Sequence, residues 1–134
     1  MIIAIDFDGS CTTHDYPYVG KDIGAVPRLK KLAANGHRLM LWTMRGSKPF
    51  GEEERNTLQD AVDWFKENDI PLWGINENLD QKASGWSNSH KQHANLYIDD
   101  SALGAPLIYD PEISDKPFLN WEVIEYYLIK MGLI

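Results

Sequence analysis

The chain has 134 residues, 43% of them hydrophobic and 25% charged, with a net charge of −7. That length fits a single globular domain, 1–134, with one core, and the composition excludes disordered and fibrous classes. The acidic balance argues against nucleic-acid and anionic-membrane partners, and no apolar run approaches the ~18 residues that span a bilayer.

In chain order, residues 2–7 (IIAIDF) read as a buried strand. A helix is expected over 27–35: Pro27 suits its first turn, Leu29, Leu32 and Ala33 share a face, and Gly36 suits its end. A strand follows at 38–43. A helix is then expected over 51–68, with Leu58, Val62 and Phe65 on one face and three glutamates near its amino end. Short strands are expected at 72–75, 95–99 and 106–110. Asn120 is placed to cap a last helix whose apolar face is Trp121, Ile124, Leu128 and Met131, ending at Gly132. Trp42, Trp64, Trp73 and Trp121 lie on apolar patterns and read as core. The 76–94 connection is polar and weakly periodic, a length that is uncommon unless functional.

Alternating strands and helices with apolar strands predict an α/β fold: a three-layer α/β/α, Rossmann-like parallel sheet with helices on both faces. Ligands of such sheets bind beyond the carboxyl ends of the strands. What stands there is acidic. The first strand runs into Asp6 and Asp8, the 95–99 strand into Asp99 and Asp100, and the second ends at Thr43. Like charges brought to one rim raise each other's pKa unless a cation lies between them. Asp6, Asp8, Asp99 and Asp100 are therefore the candidate metal ligands, and an all-oxygen, carboxylate-rich set suits Mg²⁺. Lone Cys11 has no partner for a disulfide, which fits a reducing cytoplasm, as does the lack of a basic segment before the first apolar run.

These residues also come in a recognisable order. DFDGS at 6–10, an apolar strand ending in Thr43, Lys91 and the acid pair at 99–100 resemble the four ordered motifs of the haloacid dehalogenase-like (HAD) hydrolases. KQHANLYIDD at 91–100 is similar to a string found in small members of that superfamily. The receiver domain of bacterial response regulators also combines aspartate with Mg²⁺, but its phosphorylated Asp lies on the third strand, an order absent here.

The resemblance implies a Mg²⁺-dependent phosphomonoester hydrolase. Asp6 is the implied nucleophile and forms an aspartyl-phosphate; Asp8 gives and retakes the proton. Elementary chemistry agrees, since two easier displacements need a charged nucleophile beside a proton carrier. Gly9 permits the bend and frees backbone N–H groups for phosphate oxygens, and the Ser10 hydroxyl stands where the family usually has threonine. Thr43 is the implied phosphoryl hydrogen-bond donor, and Lys91, with Lys82 as its rival, neutralises the transferring group. Asp99 or Asp100 is the direct metal ligand, the other acting through water or holding Lys91. Arg45 and Trp86 are candidates for contacting the non-reacting part of the substrate.

Neither the stretch after Asp8 nor 76–94 reaches the ~50 residues of an independent domain, so no cap domain is expected. Residues 11–20 read as a short flap. An open site implies a large substrate, or a small one enclosed by a neighbouring subunit; the acidic charge favours a small phosphorylated metabolite. Two alternatives remain: a phosphotransferase of the same family, and a non-catalytic module that binds a phosphorylated ligand.

Overall fold

A computed structural model describes residues 1–134. Four parallel strands form the sheet: β1 (Ile2–Ile5), β2 (Arg38–Leu41), β3 (Gly74–Ile75) and β4 (Leu96–Ile98), in the order β3-β2-β1-β4. Four helices accompany them: α1 (Ala25–Ala34), α2 (Thr57–Glu67), α3 (Leu79–Ser84) and α4 (Trp121–Lys130). No cap domain is present, and the fold is a small α/β, Rossmann-like one. No helix is long and apolar enough to cross a membrane.

All four residues of β1 are buried, as a central parallel strand requires. Alternation then divides the sheet into two faces. Ile3, Ile5, Leu39 and Leu41 face the larger core with Leu29 and Leu32 of α1, Ala61 and Phe65 of α2, and Trp121, Ile124 and Leu128 of α4. Ile2, Ala4 and Met40 face the other way, packing with Ala94 and, less deeply, Trp42 and Trp73. Arg38 on that face stacks on Trp73 and pairs with Asp80 of α3 at 2.8 Å, which puts α3 there. Helices thus cover both faces, but unequally. Of the tryptophans expected in the core, Trp121 is fully buried, while Trp42, Trp64 and Trp73 are partly covered.

Three elements differ from the sequence expectation. The helix expected from 51 starts at Thr57, because the Asn56 side chain accepts the Gln59 N–H and caps it there. Phe50 and Arg55 exchange backbone hydrogen bonds, closing the three glutamates into a turn. The 106–110 strand does not join the parallel sheet: β5 (Leu107–Ile108) pairs antiparallel with β6 (Phe118–Leu119), which the periodicity did not reveal. Finally, the polar 76–94 connection contains α3, capped by Asn78 through the Gln81 N–H.

The chain leaves β1 toward β2 and β3, then returns to the other side of β1 to place β4. The winding reverses between the carboxyl ends of β1 and β4, the place where open parallel sheets bind ligands.

Candidate functional site

Ile5 and Ile98 are register partners, and the Asp6 N–H donates to the Ile98 carbonyl at 3.0 Å. The next side chains out of β1 and β4 are Asp6 and Asp99, followed by Asp100. A carboxylate oxygen from each lies within 4.8 Å of the others. The sheet itself brings them together.

Ser10 braces the cluster. Its hydroxyl donates to Asp6 Oδ2 at 2.8 Å and accepts the Asp100 N–H at 3.0 Å. It is wholly buried, and the Trp121 indole donates to its carbonyl at 2.8 Å, tying the loop to α4. Gly9 makes the loop feasible: its φ of 81° is left-handed, and a Cβ there would collide with His14 and Asp100. The N–H groups of Gly9, Ser10 and Cys11 are taken by the Thr12 and Phe7 carbonyls, leaving the Asp8 N–H without an acceptor. The amides of Gly9, Ser10 and Cys11, expected to be free, are thus committed within the loop. Ser10 holds carboxylates rather than lining open space.

Asp6 titrates far from an ordinary carboxyl: it is raised from 3.8 to about 7. Burial is the main cause; the charges of Asp99 and Asp100 add to it, and the Ser10 hydrogen bond opposes them. No lysine or arginine forms an ion pair with any of the three acids. The one nitrogen side chain touching the cluster is His14, whose Nε2 lies 2.8 Å from Asp100 Oδ2. Three hard oxygen donors crowded together with so little compensating charge fit a small divalent cation such as Mg²⁺.

His14 was not singled out by the sequence. It lies in the 11–20 flap, and only the fold of that flap shows which carboxylate it meets. Cys11 donates its thiol to the Asp6 carbonyl at 3.3 Å. Burial, then the charges of Asp6 and Asp8, push that thiol well above its usual range, so it stays protonated and unreactive.

Asp8 points elsewhere. Arg45 grips it bidentately, Nε and one Nη each at 2.8 Å from a carboxylate oxygen. The remaining guanidinium hydrogens go to the carbonyls of Pro17, Tyr18 and Thr57. All five donors of Arg45 are therefore used, and its side chain is 1% exposed. It ties the rim of β1 to the flap and to the start of α2, and has no hydrogen left for a substrate. Asp8's carboxylate stands apart from the three-acid cluster.

Thr43, half-buried at the end of β2, accepts the Arg45 N–H through Oγ1 at 3.2 Å and donates its own N–H to Asn76. Lys91 is exposed with no carboxylate partner, and Lys82 pairs with Glu77 at 3.2 Å. Gln81 bonds the Ser89 and Lys91 carbonyls and the His93 N–H, holding that segment to α3. Neither lysine reaches the acids. Trp86, 63% exposed, meets His93 edge-on and stands outside the cluster.

No family model matches the chain, and no curated protein does. Among solved structures, a conserved protein from Bacteroides thetaiotaomicron is 34% identical, with a TM-score of 0.70 over 98% of this chain and 91% of that one. Such identity over nearly the whole length goes beyond a shared fold: the chain belongs to the family of that conserved Bacteroides thetaiotaomicron protein.

Proposed function

We propose that the chain is a Mg²⁺-dependent phosphomonoester hydrolase of the haloacid dehalogenase-like type, working through a phosphorylated Asp6 on a small phosphorylated metabolite. The observation that supports this reading is the meeting of Asp6, Asp99 and Asp100 at the switch point between β1 and β4. When bound there by these three acids, Mg²⁺ supplies positive charge that offsets both the carboxylates and a phosphoryl group.

Ser10 donates to Asp6 Oδ2 and fixes the carboxylate, whose other oxygen, Oδ1, attacks phosphorus. The bond to the leaving alcohol then breaks, giving an aspartyl-phosphate and an alcohol that takes up a proton. Water hydrolyses the acyl-phosphate, releasing phosphate and restoring Asp6. The Asp8 N–H is available to a phosphoryl oxygen. For the Asp8 carboxylate to carry the proton, its pair with Arg45 must open when substrate enters, because Arg45 engages both of its oxygens.

p-Nitrophenyl phosphate turnover should require Mg²⁺ and fall to background in Asp6→Asn. Undiminished turnover in that variant rules the mechanism out.

A second reading, binding of a phosphorylated ligand without turnover, draws on the lack of any ion pair between Lys91 or Lys82 and the three acids and on the Arg45 grip on Asp8. Mg²⁺-dependent phosphate binding by a wild type that turns over no monoester selects it.

A further inference from the structure

Beside Asp8 the rim opens into a cleft of about 310 Å³ walled by Asp8, Tyr16, Met44 and Arg45, within the size range of small-ligand sites. Its surface is unusual for the edge of a phosphate-handling site. Met44 is 99% exposed, although it lies between half-buried Thr43 and buried Arg45. The Tyr16 ring is half exposed and backed by Phe50, their centroids 5.1 Å apart at 60°.

The charges there tell against a second anionic group. Arg45, the cation in the wall, has all five donors committed to Asp8 and backbone carbonyls. Lys48, a few residues on, does not line the cleft. Beyond Phe50 the chain continues into Glu52 and Glu53, the latter paired with Arg55. A carboxylate or second phosphate in this cleft would meet the Asp8 carboxylate and a guanidinium whose hydrogens are all committed, with only the Tyr16 hydroxyl to donate. A flat, uncharged group would meet a phenol ring and a thioether, surfaces that stack on any π-face.

Resting on the hydrolase reading above, we propose that this cleft receives the alcohol side of the substrate, and that the substrate is a monoester whose alcohol carries an uncharged aromatic ring. Tyr16, backed by Phe50, and Met44 hold the ring, while the phosphoryl group lies over Asp6. A nucleoside or a simple arylalkyl alcohol would supply such a ring.

The test compares pairs that share a reacting alcohol and differ by the ring: a nucleoside 5′-monophosphate against ribose 5-phosphate, and benzyl phosphate against ethyl phosphate. Binding to Asp6→Asn in Mg²⁺ is measured by equilibrium dialysis, and kcat/KM is measured on the wild type. The ring-bearing member of at least one pair should be favoured about tenfold in both, as stacking of one ring provides. Phe50→Ala and Met44→Ala should each shrink that ratio several-fold. Preference in the nucleotide pair alone identifies a nucleoside, and in the benzyl pair alone an arylalkyl group. Equal binding within both pairs overturns the proposal, as does a preference that survives both substitutions. Turnover of every monoester with no ring preference removes this inference and leaves the hydrolase reading standing. Ring-selective binding without any turnover removes the hydrolase reading, overturns the monoester as substrate, and leaves the cleft only as a ring-binding part of a phospho-ligand site.

Discussion

A carboxyl group raised to about 7 makes the protonation of Asp6 sensitive to solution pH near neutrality. The folded state holds a proton that the unfolded chain releases above 3.8, so the unfolded chain binds fewer protons between those values. Stability from this group is full below the lower value and is lost as pH rises through about 7. Cation binding runs the opposite way, because the cation takes the ionised form. Thermal melts of the wild type and Asp6→Asn from pH 5 to 8 should therefore differ in slope. Without Mg²⁺ the wild type should lose stability with rising pH relative to the variant, and the stabilisation added by Mg²⁺ should grow up to about pH 7 and then level off. At this scale, Asp6 and Asp99 were legible because a parallel strand's carboxyl end predicts where its next residue goes. The partner of Asp8 was not. Arg45 lies thirty-seven positions along, and nothing in its spacing says that its donors close on Asp8 and three carbonyls. His14 was hidden for the same reason.

Among the elements, α4 carries weight for the site beyond its place in the core. Asn120 caps it through the Glu122 and Val123 N–H groups, and the first helical residue, Trp121, sends its indole N–H to the Ser10 carbonyl. Replacing Trp121 by Phe keeps an aromatic ring but leaves that buried carbonyl unpaired, which costs about 1–3 kcal/mol. The urea midpoint of Trp121→Phe should fall accordingly, and its Mg²⁺ affinity should fall with it, because Ser10 positions Asp6. The cap and apolar face of α4 were readable from the sequence, since both are local. The start of α2 was misplaced at 51, because the glutamates at 52–54 suit a helix's first turn, whereas Asn56 carries the capping signal. The antiparallel pairing of β5 with β6 depends on contacts across the Asp110–Pro117 turn, and two-residue strands leave almost no period to detect.

For the whole molecule, the parallel sheet with helices on both faces was foreseeable from the alternation of elements. The strand order was not, because pairing leaves no mark on the order of apolar runs. That order makes the site, by setting β1 beside β4. The flap is fastened across it by the buried Arg45–Asp8 pair, so Arg45→Met should leave a half-buried charge uncompensated and cost about 3–5 kcal/mol in chemical denaturation. The double variant Arg45→Met/Asp8→Asn should recover part of that loss; a purely packing role for Arg45 gives no recovery.

The most direct test is to find where the phosphoryl group goes. Wild-type protein turning over p-nitrophenyl phosphate in Mg²⁺ is quenched in acid, digested, and its peptides are weighed. A phosphoryl adduct on the peptide bearing Asp6, absent without Mg²⁺, is the predicted result. Steady turnover with no adduct there, or with the adduct on another residue, contradicts the account.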